Sequence, residues 1–389
     1  MHWHSRPAIS LDGARDPKLD ISIGRVSAVV LQRLGAAQTW QERREDSFAA
    51  APDKTWPLRE RRQTHTAQDY CRDVTTQGAT LPKFQRGHAN PASVVDALRA
   101  LAGDLPAARG SFARGRCVRG TYVPSDQAGK ITRSRSFIKP CRVLARFSIG
   151  GGNPMVADID HAASLRGFSF RIGNDDQLSD IFTQSAPVHF ARTLDQMLAF
   201  LKARLPGSND EPDAKKIKAF SAANPETLHQ ARYLAAQPLR ASFAGTTYWG
   251  VHSFPATNSD SKIRFIKFKI EPVGEKVTLT VDDARAQSAD FLNDDLDLRI
   301  AAHAVRFSVM ALLDRPSDPV MDVTIRWPDE DEREAVRLGT IVITGVEPDD
   351  ACDEAMFNPA NLADGIGHPP DEIFAARRAA YVISQRKRR

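Results

Sequence analysis

Arg377 and Tyr381 stand four residues apart near the carboxyl end of this 389-residue chain. On a helix, side chains at that spacing meet. A free phenol has a pKa near ~10 and is a poor anion at neutral pH. A neighbouring guanidinium favours the phenolate, and bonding to a ferric ion favours it further. An inward-facing Arg-x-x-x-Tyr pair can therefore present an anionic oxygen to a metal. Taken alone, the same pair reads more simply as a partly buried tyrosine lying beside an arginine. Other reactive side chains form no comparable group. Cys71, Cys117, Cys141 and Cys352 are widely scattered, with no CxxC and no zinc-like spacing to histidine, so reduced and structurally neutral thiols are expected. His161, His252 and His303 carry no motif.

The helix that must hold the pair is the best defined in the sequence. Pro369 and Pro370 precede it, Asp371 and Glu372 fall in its first turn, and Arg386-Lys387-Arg388-Arg389 closes it. These features match helix-start chemistry and the macrodipole, so the basic run reads as a solvated helix end. On that helix Ile373, Arg377, Tyr381 and Ser384 share one stripe.

From Arg116 onward the pattern is one of strands. Val143, Ala145, Phe147 and Ile149 alternate with Arg142, Leu144, Arg146 and Ser148 over 141–149. Residues 167–172, 247–254, 262–270, 277–281, 320–327 and 340–346 continue the theme, with Met321, Val323, Ile325 and Trp327 keeping an unbroken period of two. Helices are expected at 92–102, 194–204 and 214–236, the last broken at Pro225. Many antiparallel strands with few helical crossovers predict an α+β chain built on a closed antiparallel β-barrel with flanking helices. Residues 1–75, punctuated by Pro7, Pro17, Pro52 and Pro57, read as an N-terminal arm with a helix at 26–37, and residues 76–389 as the barrel domain.

Composition narrows the function. An apolar fraction of 42% and a charged fraction of 26% are ordinary for a globular protein. No stretch reaches the roughly 18 apolar residues that a membrane span needs. The opening Met1-His2-Trp3-His4-Ser5-Arg6 lacks the layout of a secretory signal, which makes a cytoplasmic address the expectation. A formal charge of +5 and the lack of interleaved aromatic and basic residues give no sign of a nucleic-acid partner.

Several ordered blocks then narrow the reading further. The stretch from Pro370 to Ser384, containing Arg377-Arg378-Ala379-Ala380-Tyr381, resembles the proximal helix of the catalase superfamily, above all that of the small catalase-related peroxidases. Ala145-Arg146-Phe147-Ser148, the glycines at 150–152 with Asp158, Leu165-Arg166-Gly167-Phe168, the segment Asp180 to Arg192, Tyr248 to Phe254 and Asp353 to Pro359 are similar to further family blocks in the same order. The resemblance runs from about Ala92 to Arg389. It implies a haem b enzyme in which Tyr381 is the axial ligand to iron and Arg377 supports its charge. Arg109 and Arg146 would pair with the haem propionates, with Ser148 beside them; otherwise each is an ordinary surface or strand-edge arginine.

One position breaks the pattern. Where the family carries a distal histidine in a His-Ala-Lys-Gly motif, this chain has Phe112-Ala113-Arg114-Gly115. That histidine moves a proton between the oxygens of bound peroxide, which a phenyl ring cannot do, and losing a positioned acid–base group typically costs about 10² to 10⁴ in rate. The family's distal asparagine matches Gln184, and His189 replaces an aromatic channel residue. His189 is a candidate relocated base or substrate contact, and equally a hydrogen-bonded structural histidine. The resemblance thus implies peroxide-driven oxidation of a substrate, by hydrogen peroxide or an organic hydroperoxide, with weak or absent catalase turnover. Oxygen transfer to, or rearrangement of, an organic substrate and a non-enzymatic haem or gas binder are the alternatives. The arm could equally wrap a partner subunit, as in a homo-oligomer, or its own barrel.

Overall fold

The computed structural model describes residues 88–389 apart from 159–164, 175 and 208. The expected arm at 1–75 with its helix at 26–37, together with Cys71 and His161, lies outside the described residues.

The strands are β1 (Gly115–Pro124), β2 (Cys141–Ile149), β3 (Arg166–Ile172), β4 (Ser179–Gln184), β5 (Leu239–Arg240), β6 (Tyr248–Trp249), β7 (Phe254–Thr257), β8 (Ile263–Pro272), β9 (Thr278–Leu279), β10 (Val305–Leu313) and β11 (Ala335–Val346). Eight of them close into an antiparallel barrel in the order β10-β11-β1-β2-β3-β4-β6-β8, with β8 returning to β10. Strand β7 extends the wall beyond β8, and β5 with β9 forms a separate ribbon.

Alternation in the sequence decides what fills the barrel. Phe147 of β2 lies directly opposite Phe168 of β3, and their rings stack at 4.4 Å, only 3° from parallel. Tyr248 and Phe307 close on Phe168 at 5.4 and 5.1 Å, and Phe243 on Phe147 at 5.5 Å. All five rings are fully buried. At about 1.5–3 kcal/mol for each buried apolar side chain, this aromatic plug stabilises the barrel and fills its lumen. A sizeable ligand must therefore sit outside the wall.

The helices are α1 (Pro91–Leu101), α2 (Ala128–Ile131), α3 (Arg135–Ile138), α4 (Leu194–Lys202), α5 (Ala214–Ala223), α6 (His229–Ala236), α7 (Val281–Arg285), α8 (Phe291–Ala302), α9 (Asp349–Ala355) and α10 (Glu372–Arg386). The expected break at Pro225 falls between α5 and α6. Helices α1, α4 and α10 pack together outside the barrel, joining Val94 and Ala97 to Leu198 and Leu201. Among the described residues, no helix is long and apolar enough to cross a membrane.

Three strand expectations need correction. Residues 320–327 form turns: the Asp322 carboxylate accepts from the Thr324 amide at 2.9 Å and hydroxyl at 2.6 Å, so a local side-chain turn replaces a ladder. The stretch 277–281 yields only the two residues of β9, because Thr280 caps α7. The stretch 247–254 breaks into β6 and the start of β7, with residues 250–253 turning away between them. Conversely, β4 and β10 are strands that the sequence reading left out.

The thiol expectation also fails. Cys117 of β1 and Cys352 of α9 form a disulfide across 235 residues, with Cα atoms 5.8 Å apart. The fold brings them together: the Asp349 carboxylate at the start of α9 accepts from the Cys117 amide at 3.1 Å. Sequence spacing carries no trace of such a long-range pairing. Cys141 remains a free, buried thiol.

Candidate functional site on the outer wall of the barrel

Since Phe147, Phe168 and Ile181 point into the barrel, their neighbours on β2, β3 and β4 point out. Pairing aligns these outward residues in two rows. Ser148, Gly167 and Gln184 form one, and Arg146, Ser169 and Phe182 the next. Gly167 leaves a dip in the first row, and the Phe112 ring settles there: a Cβ at 167 would meet its Cδ1 at 3.0 Å and Ser148 Oγ at 2.6 Å. The same ring meets Phe182 edge-on at 5.3 Å.

Phe112 holds this position at a backbone cost. Its φ of 53° is unusual for a bulky side chain, a strain of order 1–3 kcal/mol. Arg146 holds it there, its guanidinium donating to the carbonyls of Phe112 and Ala113, both at 2.8 Å. Burial, reinforced by nearby Arg109, pushes the Arg146 guanidinium down to about 9. It remains a cation at neutral pH, buried with two neutral carbonyls for partners.

Opposite this wall lies α10. Asp371 caps it, with Oδ1 accepting from the Phe374 amide at 2.9 Å. Its Oδ2 lies 2.8 Å from His252 Nδ1, and Arg377 Nε donates to His252 Nε2 at 3.0 Å. A guanidinium can only donate, so Nε2 accepts and the imidazole proton sits on Nδ1, facing Asp371. Burial keeps His252 below the ordinary histidine range even though Asp371 pulls the other way. From Arg377 the chain continues to the Tyr381 hydroxyl, which accepts from Nη1 at a long 3.4 Å. The Arg377 guanidinium also rests 4.9 Å above the Phe182 ring, so wall and helix meet at Phe182.

At the rim, three arginines gather. Arg109 donates from Nη2 to the Asp353 carboxylate at 2.5 Å and to the Cys352 carbonyl at 3.2 Å. Arg388 reaches the same carboxylate at 3.4 Å; its side chain is only 10% exposed, and its Nε has no hydrogen-bond partner. Arg109 and Arg388 both bear electrostatically on Arg146. At the basic end of α10, Arg386, Lys387 and Arg389 are exposed as expected, Lys387 pairing with Asp96 at 2.5 Å, while Arg388 turns inward.

Comparison with known proteins gives this arrangement a relative. A profile described as "Catalase" matches residues 94–389. The chain belongs to the catalase family. It is 28% identical over 324 residues to a catalase-related peroxidase of Synechococcus elongatus, covering 81% of this chain and 93% of that protein. A catalase-related peroxidase of Mycolicibacterium paratuberculosis is likewise 28% identical over 307 residues, covering 78% and 96%. Among solved structures, catalase A of Saccharomyces cerevisiae superposes with a TM-score of 0.65 at 20% identity, covering 80% of this chain and 68% of that one. A fungal catalase gives the same TM-score and identity over 80% and 66%. This family member is thus an oxidoreductase of the peroxidase and catalase type on a catalase-like barrel. It spans nearly the whole of the two catalase-related peroxidases but only about two thirds of the solved catalases.

The structure brings most of the expected site residues together. Arg377 and Tyr381 share the inner face of α10, while Phe112, Arg146, Ser148 and Gln184 share the outer wall. The Gln184 amide donates to the carbonyls of Ala186 and Val188 at 3.3 and 2.8 Å. His189 is buried, with Nδ1 2.8 Å from the Ala191 carbonyl and its ring stacked 4.4 Å from Phe190. Burial, then the charge of Arg377, push it down to about 3, so it is neutral over the working pH range. His252, Asp371 and Arg388 were missed as site residues. For His252 no local signal existed, because its partners lie 119 and 125 residues away.

Proposed function

We propose that this protein is a catalase-related haem peroxidase in which Tyr381 would hold the iron of haem b. The observation that carries the reading is the hydrogen-bonded chain Asp371–His252–Arg377–Tyr381, buried at Asp371 and His252 and half-buried at Arg377 and Tyr381. A carboxylate, an oriented neutral imidazole and a guanidinium stand in line behind one phenolic oxygen. Its single hydrogen bond is long, so the oxygen's lone pairs are left for another partner.

The surroundings fit the group. Arg109, Arg146 and Arg388 offer more positive charge than Asp353 balances, which suits the two carboxylates of a haem. Phe112 and Phe182 provide apolar surface for a macrocycle. When bound, haem would supply the redox chemistry by which peroxide oxidises a second substrate. The residues of the chain do the rest. Arg377 stabilises negative charge on the Tyr381 oxygen, and His252 holds Arg377 in place.

On the opposite side Phe112 has no proton to give or take, and the Gln184 amide hydrogens are already used by its own loop. His189 sits nearby, but a group pushed to about 3 is a weak base. Fast disproportionation of hydrogen peroxide is therefore disfavoured. The apolar wall favours an organic hydroperoxide or an apolar reductant close to the peroxide site.

Reconstitution tests the reading. Purified protein titrated with haem should take up one equivalent, then oxidise guaiacol with peroxide while evolving little oxygen. Absence of stoichiometric uptake would overturn it. Vigorous oxygen evolution would overturn the peroxidase assignment and leave haem binding intact.

A further inference from the structure

We propose that the Cys117–Cys352 disulfide positions the arginine that grips the carboxylates of the bound haem, so that opening the bridge selectively weakens haem binding; this rests on the haem reading above. Three observations support it. First, the bridge clamps α9 to the barrel at β1, both cysteines are fully buried, and Asp349 adds its own tie to the Cys117 amide. Second, the clamped turn holds Arg109 with consecutive residues, through the Cys352 carbonyl and the Asp353 carboxylate. Both contacts use Nη2, leaving Nη1 and Nε of Arg109 for a bound anion. Third, Arg109 lies on the irregular segment 102–114, where Gly103, Asp104, Ala107 and Phe112 all have positive φ. Such a segment has little regular backbone pairing to fix a long side chain. The tie to α9 does that work.

Opening the bridge is a two-electron step. A dithiol or a phosphine reductant donates two electrons, the S–S bond breaks, and Cys117 and Cys352 each take up a proton, from the dithiol or from water, to become thiols. The dithiol closes to its own disulfide; the phosphine becomes its oxide with oxygen from water. Helix α9 has only seven residues, and without its covalent anchor Asp353 and the Cys352 carbonyl no longer hold a fixed place. Cys117, Cys352 and Asp353 act on the ligand only through Arg109, and are positioning residues.

The experiment compares two probes on the full chain: ferric haem, and its dimethyl ester, which lacks the propionate charges. Affinities are measured by absorbance titration for the bridged protein, for protein reduced and desalted free of reductant, and for Cys117→Ser/Cys352→Ser. Mapping of an unreduced digest checks the Cys117–Cys352 link. The expected result is about a tenfold weaker Kd for haem on opening, a change of roughly 1.4 kcal/mol, with less than a twofold change for the ester. Trypsin cleavage after Arg109 should rise in parallel. Asp353→Ala, which keeps the bridge and guards against a misfolded double variant, should reproduce part of the haem loss, and Asp353→Glu should restore it. Equal losses for haem and ester would show a merely structural bridge and overturn the proposal while leaving the haem reading intact. Unchanged haem affinity with the bridge shown open, or no Cys117–Cys352 link in the digest, would also overturn it. If the bridged protein binds neither probe, the haem reading itself fails.

Discussion

The two sides of the candidate site are built in opposite ways. On the α10 side, Asp371, His252, Arg377 and Tyr381 form a continuous polar line, buried at Asp371 and His252 and half-buried at Arg377 and Tyr381. On the barrel wall, Phe112 and Phe182 meet edge to face over Gly167, and the nearest polar groups are spent on the backbone. A buried polar line is expensive unless its groups are paired; this one is paired from Asp371 to Arg377 and is left open at the Tyr381 oxygen. The apolar side offers no proton relay. On the proposed haem reading, the difference teaches that holding the metal and handling the peroxide proton are separable tasks, the first assigned to α10 and the second without a relay on the wall.

The comparison can be attacked from the wall first. Phe112→His restores an acid–base group on the Gly167 dip, and oxygen evolution from hydrogen peroxide should rise by about 10² or more. A haem-loaded variant with unchanged evolution, followed with an oxygen electrode, would mean that the wall lacks more than one residue. The next effect is on the helix side. Asp371→Ala removes an N-cap, worth about 1 kcal/mol, and leaves buried His252 without its acceptor, worth about 1–3 kcal/mol. Urea unfolding should therefore show a loss of about 2–4 kcal/mol, the sum of these two terms. Asp371→Asn keeps the cap and should lose less. Equal losses in the two variants would mean that the carboxylate charge, and not the cap, matters most.

A smaller effect concerns acid. His189 titrates near 6.5 when unfolded and is pushed to about 3 in the fold. Between those values the unfolded chain binds the extra proton, so stability falls as the pH drops from 6.5 towards 3. Replacing His189 by Phe should flatten the dependence of the urea midpoint on pH across that window. The same variant asks whether His189 serves the reaction: unchanged peroxide-dependent turnover makes it a packing residue beside Phe190.

Much of this contrast was legible in the sequence. The alternation in 141–149 and 167–172 reflects a real barrel wall, and the prolines and acidic residues before Glu372 mark the start of α10. Arg377 and Tyr381 could be paired because helical spacing is local. His252 could not be found, since a kink between β6 and β7 turns it towards a helix more than a hundred residues later. Cys117 and Cys352 were hidden for the same reason, at a separation of 235. Arg388 was misread because a terminal basic run usually faces solvent. Residues 320–327 misled in the other direction: an apolar period of two is necessary for a half-buried strand, but Asp322 diverts the backbone into a turn.

The haem assignment stands or falls on the oxygen of Tyr381. Resonance Raman spectra of the haem-reconstituted protein, excited in the phenolate-to-iron charge-transfer region, report on that bond directly. Ring modes of a coordinated tyrosinate are expected in the native chain and should vanish in Tyr381→Phe, together with most haem affinity. Tyrosinate modes that persist in the variant, or haem bound equally well without them, would contradict the assignment.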